Sequence, residues 1–357
     1  MIVERIDIGN VRNIGCERLE LDPRVNLLVG PNGAGKTSAL EAVHLVIRGR
    51  SFRTSRPDRV VRHGEERMSV AALLMDESVG SVRLAYTRER RGRVELRRDA
   101  QLVRQTSRVA SLLPIQLLLP DLPELVFGSP AGRRQWLDWG VFHVKQDYAQ
   151  VLGRFLRALR HRNTLLRAAD LKTLPVWTEQ VAELGEAVAQ ARRRYFDRVM
   201  AHVSASLATL APGLEVEWDY APGWNADSLA EVLGQQVDRD VKLGTTQAGP
   251  HRADVRITCG SESAAQVLSR GQGKAVASAL RMGQAKDFAI AGKRSLFLID
   301  DLGAELDEEH NERYYRQLED MDCQIVATST EGAIGEILME SRGGRMFHVK
   351  QGHFEQA

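Results

Sequence analysis

A run of residues near the N-terminus has the make-up of a phosphate cradle: Gly30, Pro31, Asn32, Gly33, Ala34, Gly35, Lys36 and Thr37, followed by Ser38. Glycines let such a loop wrap so that its backbone N–H groups point inward at phosphate oxygens. Lys36 then reaches the β- and γ-phosphates, and the Thr37 hydroxyl ligates magnesium. The apolar run Val25-Asn26-Leu27-Leu28-Val29 reads as a strand before the loop. Helical spacing of Ala39, Leu40, Val43, Leu45 and Val46 follows it. Strand, loop and helix in that order distinguish a phosphate loop from an ordinary Gly-rich turn. Far along the chain, Leu296-Phe297-Leu298-Ile299-Asp300-Asp301 reads as a buried strand ending in carboxylates. Asp300 would hold magnesium through water, and Asp301 would orient an attacking water. The expected cofactors are therefore ATP and Mg2+, with Lys36, Asp300 and Asp301 carrying the chemistry.

A third motif, Leu268-Ser269-Arg270-Gly271-Gln272, resembles the Leu-Ser-Gly-Gly-Gln signature of ABC ATPases, with arginine for the first glycine. Ser269 and the Gly271 amide, at a helix N-terminus, suit an anion. By that resemblance Ser269, Gly271 and Gln272 contact the γ-phosphate of ATP held by another subunit. Glu305-Leu306-Asp307 falls where ABC proteins carry their D-loop. Gln116 takes the place of the glutamine that senses magnesium and γ-phosphate. The histidine usual after the last strand of ABC transporters is replaced by Ala327-Thr328-Ser329-Thr330.

Positioning these groups needs a particular chain organisation. Alternation over residues 2–8, and apolar runs near 68–74, 81–86 and 93–96, predict strands. After the prolines at 114, 120, 123 and 130 the texture turns helical. Trp177, Val181, Leu184, Val188, Ala191 and Tyr195 step by four and three, which predicts a long helix with one apolar seam. Residues 170–175 turn between it and an earlier helix, giving an antiparallel hairpin. Ser295–Ile299 and residues 324–327 are further buried strands. The expected fold class is α/β, with a P-loop head as one discontinuous lobe, residues 1–118 and 242–357. A mainly helical second lobe, residues 119–241, is inserted into it.

The chain of 357 residues has 43% apolar and 27% charged residues, as a soluble globular protein does. No apolar run is long enough to span a membrane, and no secretory leader is evident, so a cytoplasmic protein without a membrane partner is expected. Cys16, Cys259 and Cys323 have no metal-ligand spacing. Net charge is only +2, yet residues 48–108 hold sixteen arginines, no lysine and eight acids. That local excess suggests an anionic partner, with Arg50, Arg53 and Arg56 as candidate DNA contacts; a solvated surface is the competing reading. No helix-turn-helix or zinc-finger pattern is present that would read bases.

Several further stretches resemble the RecF family of bacterial recombination-mediator ATPases. They are Val11-Arg12-Asn13, Gly49-Arg50-Ser51-Phe52-Arg53-Thr54, residues 133–140, Gly249-Pro250-His251-Arg252-Ala253-Asp254 and Leu268-Ser269-Arg270-Gly271-Gln272. The resemblance implies a two-lobed head that dimerises on ATP, hydrolyses it weakly and binds duplex or gapped DNA. It also implies work with RecR and RecO to place RecA on gapped DNA. By the same similarity, Arg12 and Asn13 touch the nucleotide. Asp301 departs from the glutamate of fast ABC enzymes, which argues for slow turnover. Two rivals share the ATPase motifs. A transporter subunit is disfavoured by the missing histidine and the helical insert. A long-armed SMC-like tether is disfavoured by the shortness of that insert.

Overall fold

The computed structural model describes residues 1–301, 308–330 and 338–357. Strand β1 (Ile2–Val11) buries Val3, Ile6, Ile8 and Val11. A bulge between Val3 and Arg5 resets the alternation, so one face stays apolar across the irregularity. β2 (Ile14–Glu20) and β3 (Val25–Val29) follow, and β3 runs through the Gly-rich loop into α1 (Lys36–Arg48). Then come β4 (Arg67–Asp76), β5 (Gly80–Glu89), β6 (Val94–Arg98), β7 (Gln101–Leu102), α2 (Ser107–Ala110) and β8 (Ile115–Leu118). The middle of the chain holds α3 (Glu124–Phe127), α4 (Pro130–Val144), α5 (Tyr148–Ala168), α6 (Leu174–Leu210), β9 (Glu217–Ala221), α7 (Leu229–Gln235) and α8 (Val237–Leu243). It continues with β10 (Asp254–Cys259), β11 (Glu262–Ser263), α9 (Ala264–Val267) and α10 (Arg270–Ile290). β12 (Ser295–Ile299), α11 (Glu308–Glu319), β13 (Cys323–Ser329), β14 (Arg345–Lys350) and β15 (His353–Gln356) follow.

Two compact units result: Met1–Leu122 with Ala285–Ala357, and Pro123–Gln284. The first contains an antiparallel sheet, β2-β1-β4-β5-β6-β7, and a mostly parallel sheet, β15-β14-β3-β13-β12-β8. Helix α1 contacts β1, β4 and β5 of one sheet and β13 of the other. It therefore has no solvent face: every residue but Thr37 and Arg48 is buried, Glu41 and His44 included. Gly49, in the left-handed conformation at φ 67°, ends it by donating its N–H to Leu45 O. The parallel sheet draws β3 and β8 from before the helical region and β12, β13 and β14 from after it. The two α/β stretches thus fold together into one sheet.

The second unit is built on the antiparallel hairpin of α5 and α6. Phe155, Ala158, Leu159 and Leu166 of α5 and Val181, Leu184, Val188 and Tyr195 of α6 are buried, the seam read from the spacing. Fully buried Arg162 donates to Asp240 (2.7 Å) and Thr246 (2.7 Å), tying α5 to α8 and the loop beyond it. Arg192 of α6 forks onto Asp138 of α4 (2.7 and 2.9 Å) and donates to Pro250 O (2.6 Å). The Gly-Pro-His-Arg stretch thereby closes over the hairpin. The unit boundary differs from the expectation, since residues 242–284 belong here and not with the nucleotide half. β10 pairs antiparallel with β9, Val255 opposite Tyr220. α10 packs on α4 and α6: Trp136 Nε1 donates to Leu280 O (3.1 Å), and a Cβ on Gly283 would meet the backbone of Val203.

Candidate nucleotide site

The loop after β3 lies at the C-terminal edge of the parallel sheet, where open α/β sheets bind ligands. Pro31, Asn32 and Gly33 are exposed, and Gly33 takes φ 79° with open space where a side chain would be. Lys36 Nζ donates to Gly30 O (2.6 Å) and Pro31 O (3.1 Å), so the loop's own carbonyls hold the ammonium over it. Burial lowers the Lys36 pKa, opposed by the carboxylates of Asp301 and Asp300. Asn13 fixes the outer edge, donating to Gly33 O (3.1 Å) and accepting from Ser38 Oγ (3.1 Å).

Thr37 Oγ1 donates to Asp300 Oδ1 (2.9 Å), joining two residues far apart in sequence. Thr328, at the end of β13, donates its hydroxyl to the same oxygen (2.8 Å) and accepts from the Asp301 N–H (2.9 Å). Burial raises the Asp300 pKa, against the hydrogen bonds from Thr328 and Thr37. A carboxylate whose ionised form is penalised by burial, with a hydroxyl beside it, suits a hard divalent cation. Asp301 adopts φ 56°, a left-handed conformation that costs a non-glycine residue about 1 kcal/mol or more.

Glu41 went unremarked in the sequence, yet it organises the neighbourhood. Its carboxylate is fully buried and takes a bidentate fork from Arg12 (2.9 and 3.0 Å), a hydroxyl from Ser51 and an ion pair from Arg53 (3.5 Å). Arg12 itself sits at φ 54° and donates to Arg59 O (2.9 Å). The Arg53 charge also works against the rise of the Asp300 pKa. Arg50 and Arg56 are exposed on the same loop. Further arginines of the basic stretch lie on or beside the antiparallel sheet, three of them paired with local acids: Arg93 and Arg97 on Glu95, Arg98 on Asp99.

The C-terminal hairpin props the loop from behind. Gly352 N–H donates to Ala34 O (2.7 Å), and a Cβ on Gly30 would lie 2.2 Å from Val349 O. Gln116 is not brought to this place. It is fully buried inside β8, in register with Phe297, and Ile115 and Leu298 share the opposite face with the core cluster. Strand alternation puts the Gln116 side chain on the face away from Asp300. The expected D-loop, Glu305-Leu306-Asp307, lies outside the described residues.

In the second unit, Ser269 caps α10. Its Oγ accepts from Gln272 N (3.2 Å), while Gln272 Oε1 accepts from Ser269 N (2.9 Å), a reciprocal capping box. Ser269, Arg270, Gly271 and Gln272 are exposed. The Ser269 hydroxyl proton remains available to an anion at a helix N-terminus.

Residues 2–353 match the RecF/RecN/SMC N terminal domain family. A Marinomonas protein called DNA replication and repair protein RecF is 39% identical over 334 residues, 93% of this chain and 91% of its own length. The protein of that name from Azotobacter vinelandii is 38% identical over 361 residues, 100% and 99% of the two chains. A solved structure described as the recombination mediator protein RecF-ATP in the RecFOR pathway superposes with a TM-score of 0.87 at 23% identity, covering 100% of this chain and 97% of that one. An Smc head domain from Pyrococcus furiosus, bound to the C-terminal domain of ScpA, gives 0.62 at 15%, covering 100% and 96%. No described helix is long and apolar enough to cross a membrane. The chain belongs to the RecF family and has the ABC-ATPase-type head fold that RecF shares with SMC proteins.

Proposed function

We propose that the chain is an ATP-dependent DNA-binding protein of recombinational repair, a slow ATPase that pairs head to tail with a second copy. The observation that carries the reading is the meeting of Thr37 and Asp300 at 2.9 Å beside Lys36. In this reading Lys36 and the amides of residues 33–37 bind the phosphates. Thr37 and Asp300 would hold magnesium, which would supply neutralisation of the phosphate charge. Asp301, fixed by Thr328, accepts a hydrogen bond from the attacking water. Arg12 and Asn13 flank the nucleotide. Ser269, Gly271 and Gln272 of a second copy meet the γ-phosphate, so two identical sites form at once in an isologous dimer. ADP lacks that phosphate, and hydrolysis then opens the dimer and releases duplex or gapped DNA. The names of the relatives, which refer to DNA replication, repair and the RecFOR pathway, support a place beside RecO and RecR in loading RecA.

Sedimentation with ATP or ADP, with and without duplex or gapped DNA, tests dimerisation and partner class together. A dimer with ATP alone, bound to DNA, is expected. The Lys36→Met variant should stay monomeric and lose ATP affinity in calorimetry. Wild-type affinity in that variant would remove the basis of the reading.

A further inference from the structure

Helix α5 contains no aspartate or glutamate in its 21 residues, and five arginines. Arg162 points inward to Asp240. The other four, Arg154, Arg157, Arg160 and Arg167, are exposed. At 3.6 residues per turn they fall within roughly 140° of arc, opposite the buried face of Phe155, Leu159 and Leu166. Among the described residues Arg154, Arg157 and Arg160 have no ion-pair partner, and Arg167 donates to Thr164. The exposed acid Glu186 of α6 accepts from Leu229 N of α7. The flanking Asp170 is taken up by Thr173 and Lys172.

We infer that this row is a DNA-backbone contact surface, a deepening that rests on the DNA-binding reading above. Four like charges on one face repel one another, and a polyanion relieves that repulsion. From Arg154 to Arg167 the row runs about 20 Å at 1.5 Å per residue. Over that length duplex DNA presents on the order of twelve phosphate charges. The helix is a rigid platform, because the Arg162–Asp240 pair and the apolar seam clamp its other side. A membrane surface fits less well: apart from Leu156, the large apolar residues of the helix face inward, so little remains to insert between lipids. Guanidinium–phosphate contacts of this kind read no bases, so affinity follows salt and ignores sequence.

The test is fluorescence anisotropy of the full chain with ATP and two short labelled duplexes of unrelated sequence, between about 50 and 200 mM salt. The variant is Arg154→Gln/Arg157→Gln/Arg160→Gln, with Arg83→Gln/Arg93→Gln/Arg98→Gln on the antiparallel sheet as the comparison. The α5 variant should lose about 2.7 from the slope of log affinity against log salt, 0.9 per phosphate contact removed. The sheet variant should keep the wild-type slope, and ATP affinity should be unchanged in both variants. A wild-type slope in the α5 variant, or a loss confined to the sheet variant, overturns the placement while leaving DNA binding intact. Absence of any DNA affinity in the wild-type chain overturns the placement and the proposed function together.

Discussion

Acid should weaken this protein through one residue of the nucleotide-site helix, His44. The ring is fully buried in α1, edge-on to Phe52, and its Nδ1–H donates to Arg50 O (2.7 Å). Burial pushes its pKa down from 6.5 to about 3, and the neighbouring Arg48 cation pushes the same way, against the hydrogen bond to Arg50. The folded value lies below the unfolded one, so the unfolded chain takes up the proton first. Stability from this group is complete above about pH 7 and is lost as pH falls from about 6.5 toward about 3. At 1.36 kcal/mol per unit, the loss reaches ~2 kcal/mol at pH 5. His44→Asn keeps a donor for Arg50 O but does not titrate. Urea unfolding at pH 7.5 and pH 5 should show the wild type losing ~2 kcal/mol more than the variant, at equal m-values. Equal losses in the two proteins would refute the argument.

Three further outcomes are expected. Arg162→Met leaves the Asp240 carboxylate buried without its cation, which should cost about 3–5 kcal/mol in urea unfolding, most of it recovered by adding Asp240→Asn. Gly352 sits at φ 84°, and a Cβ there would meet Asn13 O at 2.5 Å. Gly352→Val should therefore displace the prop behind Ala34 and weaken ATP binding about tenfold, roughly 1.4 kcal/mol, in calorimetry. Ser269→Arg should bind ATP as a monomer but neither dimerise nor hydrolyse it. Mixed with Lys36→Met chains it should regain a single composite site, and ATP-driven dimerisation of Ser269→Arg alone would sink the shared-site arrangement.

The parts of this architecture that are local were legible in the sequence. The phosphate loop is contiguous and flanked by its strand and helix, Asp300 ends an unmistakable apolar run, and the α6 seam repeats along one helix. What depends on contacts between distant segments was not. β9 and β10 are separated by α7 and α8, so nothing local told that residues 242–284 belong with the helical unit. Gln116 occupied the right place in the linear order, but which face of β8 it occupies is set by register with β12. Thr328 was noticed only for not being histidine, while its hydroxyl is what joins Asp300 to the Asp301 backbone. Glu41 did leave a signal. A lone acid in a helix that is apolar from Ala39 to Ile47 but for His44 has to be paired if that helix is buried on all sides.

The position of β3 has a consequence for how the protein is made. Its two neighbours in the sheet are β13 and β14, and the amide behind Ala34 comes from Gly352. All three are translated after residue 322. While the ribosome works through the helical unit, the strand that launches the phosphate loop has both edges bare. Such edges are the stretches that nascent chains must keep from pairing wrongly. Nucleotide competence therefore arrives late in synthesis, all at once. A message truncated before β13 would yield a chain with an intact phosphate-loop sequence but no working loop. It could not enter a mixed dimer as a half-active ATP-binding partner.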